Sequence, residues 1–198
     1  MKTISVCLYQ FDELDIKAKE VAREWFRKGY PDYDWWDTVY DDAKDIAKFF
    51  GVEIKDIGFS GFWSQGDGAS FTGTFRSADL IKTTEEHFKS EYPTEEGLHV
   101  LLRRLQTVKH QEEAFLEITA RGHYSHSGTM DVDDPDCYYV LAEALEIRSC
   151  LRSFADWIYA QLEKEYEYLC SDECVDETIR ANEYWFLVDG SRFAHGDD

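Results

Sequence analysis

The sequence predicts an α+β domain: a mostly antiparallel sheet of about five to six strands, helices packed on one face, and one long helix towards the C-terminus. Three observations lead there. Apolar residues recur at helical spacing in five stretches, and between them the period drops to two. The chain is also 43% hydrophobic and 16% aromatic, with 13 Phe, 12 Tyr and 6 Trp, which is ample apolar area to fold 198 residues. With only three Pro and no Gly-rich, Ser-rich or repeated segment, nothing reads as a linker. The expectation is a single domain over residues 1–198.

Thr3 to Gln10 reads as a first strand. Leu14, Ala18, Val21, Ala22, Trp25 and Phe26 then mark one helix face, closed by Gly29 and Pro31. A second helix runs from about Trp35 to Phe50, with Gly51 placed to cap it. Ile54 to Trp63 and Ala69 to Arg76 form a hairpin around Ser64–Gly68, the second strand alternating Ala69, Phe71, Gly73 and Phe75 with polar residues. Leu98, Leu101, Leu102, Leu105 and Val108 mark a third helix. A second hairpin follows, with Leu116, Ile118 and Ala120 on one strand, Met130 and Val132 on the other, and a turn near Ser127–Gly128. The longest helix spans about Asp136 to Leu169, with a predicted apolar stripe of Leu141, Ala144, Leu145, Leu151, Phe154, Ala155, Ile158 and Leu162. A short helix from Asp172 to Ala181 and a strand pair, Tyr184–Val188 with Arg192–Phe193 across Asp189–Gly190, complete the chain.

Charge bounds the partner. Asp and Glu outnumber Lys and Arg by 41 to 21, a formal net charge of −20. Residues 131–198 alone carry 18 acids against 5 bases. Such a surface repels DNA, RNA and anionic lipid and attracts basic proteins, including those that hold nucleic acid. On the long helix, Asp156, Glu163 and Glu167 share one flank of the stripe, with Glu143 on the opposite face. Carboxylates four apart on a helix lie about 5 to 6 Å from each other, so the flank can stand in for a row of phosphates. A plain solvated face is the competing explanation; the few bases interleaved there weigh against it. With Asp172 and Glu173 of the next helix, these residues are candidates for contact with a basic protein or nucleoprotein complex.

The most distinctive string is Phe59-Ser60-Gly61-Phe62-Trp63-Ser64-Gln65-Gly66-Asp67-Gly68-Ala69-Ser70-Phe71-Thr72-Gly73. Gly66 and Gly68 permit positive φ around Asp67, which is ordinary hairpin chemistry. The functional alternative makes Trp63 an anchor, with Ser64, Gln65 and Asp67 as a polar rim beside it, able to hold a partner loop or a ligand. A phosphate-binding loop is excluded, because the Walker Lys is missing and no helix starts after the glycines.

This string, with Asp34-Trp35-Trp36, Asp41-Asp42-Ala43-Lys44, Trp157-Ile158-Tyr159 to Glu167-Tyr168, and Ala181-Asn182-Glu183-Tyr184, resembles a family of small acidic proteins encoded by phages and mobile elements, some labelled antitoxin-like. The resemblance covers most of the chain. It implies a phage-and-host setting, in which an acidic protein blocks a nucleic-acid-binding defence complex as several anti-CRISPR proteins do. An antitoxin neutralising a basic toxin has the same physical profile.

No complete catalytic motif accompanies the acids, so the expectation is a protein that is not an enzyme. The alternative is a small enzyme or ligand-binding domain using the Ser64–Asp67 loop. No cofactor motif is present, and the metal candidates are incomplete. His123 and His126 lie three apart, Cys170 and Cys174 lack a second pair, and Met130–Asp136 lacks the Gly and closing Glu of an EF-hand, reading instead as a helix N-terminus. Met1–Gln10 does not have the pattern of a signal peptide, no apolar run approaches a membrane span, and five Cys suit reduced thiols, which together predict a cytoplasmic protein.

Overall fold

The structure, a computed structural model, is α+β and describes residues 5–108, 114–122 and 124–194. The chain gathers into two compact units, Trp36–Glu163 and the joined segments Met1–Trp35 and Lys164–Asp198.

In the larger unit, α2 (Asp37–Phe49) buries Val39, Ala43, Ile46 and Ala47, the positions its period marks, and stops where Gly51 turns left-handed. β2 (Val52–Ser60) and β3 (Gly68–Arg76) form the first hairpin, and β4 (Phe115–Ala120) and β5 (Met130–Asp133) the second. All four pair antiparallel in the order β2-β3-β4-β5, with the register slipped between Ile54 and Asp56 on β2. Alternation along β3 turns Phe71 and Phe75 into the core. Phe154 of the long helix α6 (Leu141–Leu169) meets Phe71 at 5.8 Å and Phe50 edge-on at 5.1 Å.

Two short helices that the periodicity does not reveal, α3 (Ser77–Leu80) and α4 (Glu85–Glu91), follow β3. Each is too brief to show a period; α4 is legible only by its cap, Thr84 Oγ1 accepting from His87 N at 3.2 Å. α5 (Glu96–Thr107) buries Leu98, Leu101, Leu102 and Leu105 as expected.

Two expectations about the long helix are corrected. It begins at Leu141, not Asp136. Asp134 accepts from the amides of Tyr138 and Tyr139 at 3.1 and 2.8 Å, and Cys137 takes φ 57°, so the acidic run divides between β5, which holds Asp131 and Asp133, and a turn from Asp134 ahead of the helix. The apolar stripe begins at Ile147, because Leu141 and Leu145 at the helix start are exposed.

In the smaller unit, α1 (Ile16–Arg27) is capped by Asp15, whose carboxylate accepts from Ala18 N at 2.8 Å. It lies against α7 (Asp172–Ala181), capped by Ser171. Phe11, Ala18, Ala22, Phe26, Val175, Ile179 and Phe186 make the core. The predicted first strand shrinks to β1 (Tyr9–Gln10), paired with β6 (Trp185–Phe186); Ser5–Leu8 are not strand, and Thr3 and Ile4 lie outside the described residues. A single bridge joins Phe186 to Arg192 where the closing strand pair was expected.

Candidate functional site

The hairpin string owes its composition to its neighbours as much as to its turn. Gly66 takes φ 96° as hairpin chemistry requires, whereas Gly68 serves close approach: a Cβ there would lie 3.2 Å from His126 Cα and 3.0 Å from the imidazole. A Cβ on Gly58 would lie 2.6 Å from Ser125 Oγ. The segment Ser125–His126 therefore rests on the hairpin end, held by Ser60 Oγ donating to Ser125 O at 2.9 Å. His126 Nδ1 accepts from Gly128 N at 2.8 Å, so its ring is engaged in the turn that leads into β5. His123, its proposed partner in a metal pair, lies outside the described residues.

Beyond Ser60 the loop closes on itself. Asp67 Oδ2 accepts from Ser64 N at 2.6 Å, and Asp67 N donates back to Ser64 O at 3.1 Å. Trp63 sits in left-handed backbone, φ 71°, unusual for a bulky residue, and is 73% exposed. Gln65 is exposed beside it, and Asp67 is half-buried. The rings form a chain: Trp36 meets Phe59 at 5.7 Å, Phe59 meets Phe62 at 5.7 Å, and Phe62 meets both Trp63 at 5.6 Å and Tyr159 of α6 at 5.5 Å.

Tyr159 is where the hairpin tip joins the acidic flank. Asp156 precedes it by three residues and Glu163 follows by four, so the three share one helix face. Burial raises the Tyr159 hydroxyl above its ordinary value, and the negative fields of Asp67 and Glu163 raise it further. A carboxylate from the loop and one from the helix thus act on the same phenol. Among the described residues, no ion pair reaches Asp67, Asp156 or Glu163. Nearby arginines are committed elsewhere: Arg148 binds Asp131 at 3.1 Å and Arg152 donates to the carbonyls of Gly128 and Met130.

The other acidic candidates sit at the start of α6 and in the smaller unit. Glu143 caps α6, accepting from Val140 N at 3.1 Å. Glu167, Asp172 and Glu173 are exposed but belong to the smaller unit, where Asp172 is paired with Arg27 and, at 3.4 Å, with Arg23. Phe59, Phe62 and Tyr159 are the contributors that sequence reasoning did not single out. The spacing of Tyr159 between Asp156 and Glu163 was the available signal.

A cleft of about 1170 Å³ lies at the other end of β2, around Val52–Ile54, Phe49, Tyr92 and His87. Three Lys–Asp pairs line it, Lys44–Asp41, Lys48–Asp45 and Lys82–Asp79, so its cations are already balanced. Among the described residues, no helix is long and apolar enough to cross a membrane.

The family described as Domain of unknown function (DUF8835) matches residues 35–172. The chain belongs to this family. The DUF8835 segment spans more than half of the chain and contains the whole tip-and-flank face, from Trp36 through Trp63 and Asp67 to Tyr159 and Glu163. Comparison with curated proteins and with solved structures gave no match.

Proposed function

We propose that this protein is a non-enzymatic inhibitor that binds a basic, nucleic-acid-binding protein and keeps nucleic acid from it. The resemblance to acidic phage proteins would make that target a host defence complex in the host cytoplasm. The observation that carries the reading is the convergence of the Trp63–Asp67 loop and the Asp156–Glu163 flank on Tyr159. Exposed aromatics surrounded by carboxylates supply the two things a basic partner needs, an anchor and complementary charge. Net charge of −20 speeds the encounter and excludes competing nucleic acid.

The test uses the full chain on a support to capture protein from a host lysate. Captured protein should elute between about 50 and 300 mM salt, since exposed charge pairs are screened over that range. It should also release its nucleic acid when free chain is added. Asp156→Lys and Glu163→Lys should abolish capture while the circular dichroism spectrum stays unchanged. Capture insensitive to salt and to both reversals, or a captured protein that keeps its nucleic acid, would refute the proposal.

A further inference from the structure

We propose that a recess in the smaller unit binds a flat aromatic molecule carrying an anionic group, a carboxylate or a phosphate. The recess holds about 670 Å³, within the range of small-molecule sites, about 300–1,000 Å³. It is lined by the C-terminal end of α1, the turn after it, the end of α7, and Tyr184 and Arg192 beyond. All of these residues lie outside the DUF8835 match, so the site is independent of the tip-and-flank face.

Aromatic rings supply the stacking surface. Trp25, Tyr30 and Tyr184 line the recess half-buried and pack against the core of the smaller unit. Phe26 ties them together, meeting Tyr30 at 4.6 Å, Trp25 at 6.0 Å and Tyr184 at 6.4 Å. Rings held from behind in this way receive a flat ligand without first having to be ordered.

Charge sets the sign of the ligand. Two bases, Lys28 and Arg192, line the recess against one acid, Asp32, in a chain whose acids outnumber its bases by 41 to 21. Arg192 lies over Trp25 at 5.1 Å and over Tyr184 at 5.0 Å, so these two rings already carry a cation. A further cation is repelled there and an anion drawn in. The guanidinium has five N–H donors, which leaves room for an incoming acceptor beside the contacts it already makes. Lys28, the C-cap of α1, is exposed and has no ion pair among the described residues. Helix C-termini ordinarily oppose an anion through their unpaired carbonyls. Here those carbonyls are taken: Trp25, Phe26 and Arg27 accept from the amides of Lys28, Gly29 and Tyr30 at 3.3, 3.2 and 3.5 Å. Thr178 O accepts from Asn182 N at 3.1 Å and from Asn182 Nδ2 at 2.8 Å. Burial also holds the Tyr30 hydroxyl above its ordinary value, so it adds no negative charge.

The experiment titrates the full chain by calorimetry with AMP and with benzoate, which separate the phosphate from the carboxylate source. Adenosine and benzamide are the uncharged counterparts. One anionic probe should bind about tenfold tighter than its counterpart and move the Trp25 indole N–H resonance. Arg192→Gln and Lys28→Gln should each weaken that probe severalfold and leave its counterpart nearly unchanged. Gly29→Trp tests the place: a Cβ there meets nothing within 4 Å, so the indole fills open space at the recess wall. Binding should fall while the urea midpoint stays at the parent value. Equal affinity for charged and uncharged probes, or an anion preference that survives Arg192→Gln combined with Lys28→Gln, overturns the assignment. So does silence from both anionic probes up to about 5 mM. Each of these failures leaves capture of a basic partner by the other unit standing.

Discussion

Two glycines of the first hairpin should respond differently to the same added methyl group. At Gly68 the new Cβ would stand 3.0 Å from His126 Cδ2, 3.3 Å from Cγ and 3.2 Å from the backbone Cα, so there is no single flexible atom to move aside. Overpacking of this kind costs about 1–3 kcal/mol. Against it stands about 0.4–1 kcal/mol gained by stiffening the unfolded chain. Gly68→Ala should therefore destabilise the protein by roughly 0.5–2 kcal/mol net. At Gly58 the close atom is Ser125 Oγ at 2.6 Å, with Ser125 Cβ comfortable at 3.5 Å. Rotation of one hydroxyl relieves that contact, so Gly58→Ala should be near neutral, and Gly58→Ala with Ser125→Ala no worse. Urea unfolding of the three variants under one set of conditions measures the contrast. Gly68→Ala as stable as the parent, or less harmful than Gly58→Ala, would show that Ser125–His126 does not rest on the hairpin end.

Three further outcomes follow from buried and half-buried groups. The Asp176 carboxyl is held below its usual range first by the hydrogen bond from Arg23, and burial only partly opposes this. Its contribution is therefore complete above about pH 4, the ordinary carboxylate value, and disappears as pH falls through the depressed native value. Asp176→Asn should cost about 2 kcal/mol at pH 7, between the exposed and buried limits for ion pairs, and flatten the acid limb of the stability curve measured by circular dichroism. Phe154 packs against Phe50 and Phe71 with 1% exposure, so Phe154→Ala should cost about 3–5 kcal/mol in urea unfolding. The Cys150 thiol is pushed up to about 11 chiefly by burial; at pH 8 Ellman's reagent should modify the exposed Cys7 and Cys137 quickly and Cys150 only after unfolding.

Much of the inward-facing pattern was legible in the chain, although Val21, Leu141 and Leu145 keep the period and are exposed. Ala43, Ile46 and Ala47, the leucines of α5, and the alternation Phe71–Phe75 all face inward as their spacing requires. Short elements escaped for a physical reason: Ser77–Leu80 is barely one turn and carries no repeat. The start of α6 was misread because Pro135 among aspartates resembles a helix N-terminus, while left-handed backbone at Cys137 and two amides bound to Asp134 are set by local geometry that composition does not encode. The face itself was half visible. Trp63, Asp67, Asp156 and Glu163 stood out separately, but only tertiary folding brings Phe62 onto Tyr159 and so unites them.

The slipped register near Lys55 matters at high concentration. β2 and β5 end the four-stranded sheet, and rims of that kind invite copies of a chain to zip together. One unpaired residue, Lys55, bends the β2 rim between Ile54 and Asp56, while β5 is only four residues long and carries Asp131 and Asp133. A visiting strand would meet a kinked backbone on one side and, on the other, a short one whose aspartates are tied to Arg121 and Arg148. Fibril growth through this sheet is thereby discouraged at both ends, and ring-rich chemistry can be displayed at the hairpin tip without the molecule polymerising through its own sheet.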